Sequence, residues 1–312
     1  MIKIACEMCG SNDLVKENGL FVCQHCGCKY TLEEARKLMV TGTVKVDTSE
    51  HLQNLYTLAR RAKDEKDFAN AEKYYSEILK EDPNNWEPVY YTAYCPAMSY
   101  SVSQIPLAAA TVSNCLKNVF DLIERSNNSD EEKREFYSQV TSDTLYFTKL
   151  LFDASTDYFQ QHPKEDNRLE DFKERGGAAL KACVILSEYL MQAKEYELAM
   201  KGLAQAWSFA NFSMVLIFGL EGVLLRDYKE PVLKKIFECY LMQENITKIE
   251  KSSVASRFKE IVDEIERKKK QKSALGLFKS KEKKLIQQQI DDLESQRIQH
   301  IQLMLAAGDS HN

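Results

Sequence analysis

Apolar residues return every three or four positions over most of this chain, the period of an α-helix with one buried face. The pattern runs through 102–125, 131–160, 168–192, 195–226 and 230–242. It breaks at Ser126-Asn-Asn-Ser129, at His162-Pro163 and at Lys229-Glu230-Pro231, where turn formers and proline interrupt it. Further on, Val254, Phe258, Ile261 and Ile265 form one seam, spaced four, three and four residues apart. Ile286, Ile290, Leu293, Ile301 and Leu305 form another, interrupted by Arg297. Two such seams predict long helices folded back as an antiparallel, coiled-coil-like pair. Tyr90, Tyr91, Tyr94, Tyr146, Phe147, Tyr158 and Phe159 read as packing between helices. The functional alternative for them is a concave groove that binds an extended peptide.

The period changes near the N-terminus. Leu14-Val15-Lys16 and Leu20-Phe21-Val22 flank Asn18-Gly19, a strong short hairpin signal because both turn residues tolerate positive φ. A third strand is expected around Cys28-Lys29-Tyr30. Thr31-Leu-Glu-Glu34 supplies a capping box, so a short helix should open there and run through Met39. The stretch from Thr41 to Ser49 reads as a linker with one extended segment, and Ser49 as the cap of the next helix.

This β segment carries the clearest chemistry. Cys6-x-x-Cys9 and Cys23-x-x-Cys26 are separated by thirteen residues, and each pair is followed by a glycine, Gly10 and Gly27. Two such pairs can place four thiolates around one structural Zn²⁺ in a closed tetrahedral site. The glycines suit the tight turn behind each pair. So small a segment has little hydrophobic core and needs the metal to fold. His25 and Cys28 offer alternative ligands, and Cys26-x-Cys28 an alternative pair. Knuckle geometry is met by Cys23 and Cys26, with Cys28 a reduced bystander. Paired spacing also argues against a redox motif.

Composition narrows the rest. The chain has 312 residues, 44% hydrophobic content, 11 glycines and 6 prolines, which fits a folded, helix-rich protein. Net charge is −5, but nine Lys/Arg and one Glu lie between Arg267 and Lys284, a local +8 against −13 elsewhere. Residues 1–40 carry five basic and five acidic side chains, a neutral balance that disfavours phosphate binding by the ribbon. MIKIACEMC shows no charged leader ahead of an apolar run, so a cytoplasmic, reducing setting is expected. Cys95, Cys115, Cys183 and Cys239 read as small core residues. Residues 202–225 carry no basic residue, but Gln205, Asn211 and Glu221 would be costly in a bilayer. A buried helix is expected there, with a membrane-associated one as the alternative.

Cys-x-x-Cys-Gly through Phe21-Val-Cys-x-x-Cys-Gly, with Tyr30 and Glu33-Glu-Ala-Arg-Lys-Leu-Met39, resembles the transcription factor IIB-type zinc ribbons. It looks most like those heading bacterial proteins that continue into a tetratricopeptide segment. The likeness covers about an eighth of the chain and implies zinc binding with contacts to protein or nucleic acid. Cys28, a fifth thiol, departs from the usual pattern. Residues 52–85 resemble one tetratricopeptide repeat, through Leu55, Leu58, Ala59, Ala62, Asp67-Phe68-Ala-Asn-Ala71, Tyr75, Ile78 and Pro83. A half-match recurs at Lys194-Glu-Tyr196-Glu-Leu-Ala199, continued by Leu203 and Ala206.

The expected fold is mainly α. It comprises a β zinc ribbon over 1–40, a linker over 41–50, a tetratricopeptide-like solenoid over 51–243, and an antiparallel helical hairpin over 244–307. No catalytic constellation or phosphate-cradling loop stands out, and a closed metal site leaves no position for a substrate. The expected role is a non-enzymatic adaptor with a protein partner. Nucleic acid is a less favoured partner. An acidic membrane surface is a further one, met by Lys268, Lys269, Lys270, Lys272, Lys279, Lys281, Lys283 and Lys284 at the hairpin tip.

Overall fold

The computed structural model describes residues 6–9, 11, 13–17, 19–35, 48–215, 221–223, 225–244, 246–275 and 279–307. The chain is mainly helical, with a small three-stranded antiparallel sheet near the N-terminus. It divides into two compact units, 1–57 and 58–312.

In the first unit, β1 (Leu14–Glu17) pairs with β2 (Leu20–Cys23), and β2 with β3 (Lys29–Tyr30). Glu17 faces Leu20 across a two-residue turn, where Gly19 takes φ +85°. That left-handed value is the reason glycine follows asparagine here. Thr31 and Glu34 form the reciprocal cap: the Thr31 amide donates to the Glu34 carboxylate at 2.8 Å, and the Glu34 amide donates back to the Thr31 hydroxyl. A helical turn follows over 32–35. The expected continuation to Met39 and most of the expected linker lie outside the described residues. Helix α1 (Thr48–Asp64) already includes Ser49, so the helix opens two residues earlier than that cap predicts.

The second unit is built from α2 (Phe68–Glu81), α3 (Trp86–Ala97), α4 (Ile105–Arg125), α5 (Asp130–Gln161), α6 (Arg168–Gln192), α7 (Tyr196–Ala210), α8 (Lys229–Met242), α9 (Lys248–Ala274) and α10 (Ser280–Ala306). Successive helices from α2 to α8 pack on one another, α4 also packs on α6, and α10 touches α8 and α9. Helix α3 went unread in the periodicity because it is apolar and aromatic nearly all round. Trp86, Tyr90, Tyr91, Tyr94, Cys95 and Ala97 are all buried. The core around it is aromatic: Tyr75 stacks on Tyr91 with centroids 4.8 Å apart, and Tyr90 on Tyr94 at 5.5 Å. A second aromatic nest joins Phe152 and Phe209, stacked at 4.0 Å, to Phe172 and Phe212. Tyr146, expected in the core, is instead 47% exposed.

Two helix–helix turns are near copies. After α1, the Lys66 amide donates to Lys63 O and the Asp67 amide to Ala62 O; after α6, the Lys194 amide donates to Met191 O and the Glu195 amide to Leu190 O. Lys66 and Lys194 hold φ +61° and +62°, the left-handed position of a Schellman-type helix end. Asp67 and Glu195 follow with nearly equal dihedrals, and Ala71 and Ala199 are fully buried one turn later. Close approach follows the second turn as well. A side chain at Gly202 would meet Ser187 Oγ at 2.3 Å and Cys183 O at 3.3 Å, so α6 and α7 pack closely enough that any larger residue there would have to displace Ser187.

The helix expected across 195–226 is corrected by the structure. Helix α7 ends at Ala210, where Asn211 turns its side-chain amide back onto Trp207 O at 2.8 Å. The chain then forms a small antiparallel pair, β4 (Ser213–Val215) with β5 (Glu221–Val223). A short apolar run cannot be assigned to helix or strand by period alone, which is how the sequence misled here. Among the described residues, no helix is long and apolar enough to cross a membrane.

In the last pair, α9 buries Phe258, Ile261 and Ile265, and α10 buries Ile286, Ile290, Ile301 and Met304. Arg257 reaches Gln296, and Lys268 reaches Gln289, so the two helices run in opposite directions. Arg297, which interrupts the apolar seam, is buried and donates to Glu230 at the start of α8, with Glu294 3.1 Å away. The break in pattern is therefore an ion pair that ties α10 to α8.

Candidate metal centre

The ribbon's hydrogen bonds explain how the cysteines converge. The Cys6 amide donates to Ser11 O at 2.8 Å, closing the loop that carries Cys6 and Cys9. The Cys23 amide donates to Cys28 O at 2.9 Å and the Gly27 amide to Cys23 O at 2.8 Å, closing the second loop at the end of β2. Gly27 holds φ +76°, a value that disfavours any side chain and explains the glycine after the second pair. Gly10 lies outside the described residues. The Gln24 amide donates to Asp13 O, which sets the two loops side by side.

The result is a cluster in which the sulfurs of Cys6, Cys9, Cys23 and Cys26 all lie within 4.8 Å of one another. Cys6 and Cys26 sulfurs are 3.5 Å apart, and those of Cys9 and Cys23 are 3.6 Å apart. All four are free thiols. The edge of a tetrahedron with Zn–S bonds of about 2.3 Å is about 3.8 Å, so the spacing suits a tetrahedral metal ion. Cys28 and His25, the alternative ligands, are not in the cluster.

The thiols are polarised unequally. The Tyr30 hydroxyl, 3.0 Å from Cys6 Sγ, brings the Cys6 thiol down to about 6. Sequence placed Tyr30 on a strand without giving it this contact. Cys23 is also lowered, chiefly by the backbone amide of Cys26. At Cys26 the Cys28 amide pulls downward, but the neighbouring thiols and burial outweigh it and the thiol is pushed up. Four thiolates so close together repel one another, and a divalent cation removes that repulsion. By contrast, burial pushes Cys95, Cys115, Cys183 and Cys239 up to about 12. Those four are inert packing groups scattered over different helices.

The eight lysines of the expected anionic contact sit on the facing ends of α9 and α10. Lys268 and Lys272 donate to Gln289 and Gln287, Lys279 pairs with Glu282 at 3.1 Å, and Lys269 lies within 4 Å of Glu266 and Glu294. Lys270, Lys281, Lys283 and Lys284 have no carboxylate partner among the described residues. No family model, curated protein or solved structure matches the chain.

Proposed function

We propose that this chain is a cytoplasmic, non-enzymatic zinc protein, a structural four-cysteine ribbon on a tetratricopeptide-like helical scaffold that acts as a protein–protein adaptor. The observation that carries the reading is the convergence of four cysteine sulfurs within 4.8 Å. Cys6, Cys9, Cys23 and Cys26 would hold one Zn²⁺. The ion supplies cross-linking of the two loops and leaves no open position for substrate. The matched turns at Lys66 and Lys194 support the repeat reading, since stacked helix pairs with equivalent turns are how such scaffolds extend a surface. A reducing compartment keeps the thiols available to the metal.

Purified protein should carry zinc at one equivalent per chain, measured by elemental analysis, and Cys23→Ser should abolish it. Retained stoichiometric zinc in that variant would remove the four-thiolate assignment. Co-purification of a defined partner at fixed stoichiometry tests the adaptor role. A protein that stays alone at physiological concentration in native lysate would count against it.

A further inference from the structure

The end of the α9–α10 pair carries more positive charge than its fold can use. Helix α10 opens at Ser280 with Lys279 at its N-cap position and no side-chain cap, and the one acidic residue of its first turn, Glu282, is outnumbered by Lys279, Lys281, Lys283 and Lys284. A helix N-terminus is already positive, so these lysines oppose the dipole and cost stability. The same chain solves this problem conventionally elsewhere. Helix α5 opens with Ser129 and three acidic residues, and α9 with Thr247 and Glu250 in a capping box. The net positive charge at the start of α10 is therefore not needed to form the helix.

Apolar exposure accompanies the charge. Leu285 is 59% exposed and directly follows Lys283 and Lys284, and Leu275 stands half-buried at the end of α9. Lys281, Lys284 and Leu285 share one helical face, being three and four residues apart. A bare phosphate backbone gives Leu285 nothing to bind. Lipid headgroups over acyl chains satisfy both the cations and the leucine.

We propose that this basic end docks on an anionic membrane surface, with Lys270, Lys281, Lys283 and Lys284 on the headgroups and Leu285 entering the interfacial zone. The remainder of the chain sums to −13, so the same surface repels it and the contact is confined to the tip. This inference stands apart from the cysteine cluster and does not depend on metal being bound.

The test is co-sedimentation of the full-length protein with vesicles containing phosphatidylserine, compared with phosphatidylcholine alone. Binding should require the acidic lipid and should vanish near 1 M salt, where the screening length is about 3 Å. Each of Lys270, Lys281, Lys283 and Lys284 changed to Ser should weaken partitioning on the order of fivefold. Leu285→Ser should weaken it about three- to tenfold. None of the five side chains is buried, so circular dichroism should stay native. Equal binding to neutral vesicles, or full binding by the four-lysine variant, overturns the proposal. So does a salt-sensitive shift of duplex DNA by a protein that ignores acidic vesicles, which assigns the tip to nucleic acid instead.

Discussion

The ribbon and the helical body are held together by different physics. Between Cys6 and Ala35 the described residues bury only Cys6, Cys23 and Ala35 among hydrophobic side chains, and two of those three are candidate ligands. The helical body buries tyrosines, phenylalanines and leucines throughout, including Tyr75, Tyr90, Tyr91, Phe147 and Phe172 at under 2% exposure. A three-stranded sheet with strands of two to four residues has too little apolar surface to offset chain entropy. On the proposed reading, one coordination event does in the first region what dozens of contacts do in the second.

The largest predicted effect breaks that contrast in the ribbon alone. Structural zinc in comparable peptides contributes about 10–16 kcal/mol near neutral pH. Chelation should therefore unfold the ribbon, collapsing amide-exchange protection over 14–30 while the helical signal persists. Protection that survives chelator would mean that the sheet stands without the metal.

A smaller but still large effect strikes the body and spares the metal. Phe152 is 3% exposed and packs on Phe172, Phe209 and Phe212. Phe152→Ala should cost about 3–5 kcal/mol in urea unfolding of the helices. Zinc content should remain at one equivalent. Loss of zinc with the helices would show that the two regions do not stabilise themselves separately.

Helix caps come next, and they carry a pH signature that the aromatic contacts lack. The Ser129 amide and hydroxyl both donate to the Glu132 carboxylate, which lowers its pKa below the usual carboxylate value; Thr247 does the same for Glu250. A carboxyl lowered in the folded state adds stability above its unfolded pKa of about 4.3, and that gain fades as pH falls through the lower folded value. Ser129→Ala should cost about 0.5–2 kcal/mol at neutral pH, and the difference from the parent should shrink in acid. A difference in melting temperature independent of pH would rule out the reciprocal cap.

Much of this contrast is legible in the residues, though unevenly. The cysteine spacing and Asn18-Gly19 specify local geometry directly, so the ribbon's strands and its sulfur cluster follow from sequence. The long amphipathic helices announce themselves by period. Helix α3 does not, because a segment apolar nearly all round has no polar face to mark its phase, and the β4–β5 pair does not, because strands of three residues are too short to show a period. Arg297 is the opposite case: its charge breaks the seam in sequence, and only the distant Glu230 shows why. Tyr30 against Cys6 is likewise a long-range contact that no local rule encodes.

The smallest predicted effect asks whether the body's many terms are truly local. Lys66 and Lys194 hold left-handed backbone at nearly identical turns, a conformation that costs an ordinary residue roughly 1–2 kcal/mol. Glycine removes that cost but adds unfolded-state entropy, leaving a net gain of about 0.5–1 kcal/mol. Neither lysine is buried, so no core packing is lost on truncation. Lys66→Gly and Lys194→Gly should therefore stabilise the helical body by similar amounts, and the double variant by their sum. Unequal gains would mean that the two turns share a backbone shape without sharing an energetic role, which would weaken the case that they are copies of one repeat. Equal and additive gains, with zinc affinity unchanged, would place the body's stability in independent local terms and the ribbon's in a single metal-dependent one.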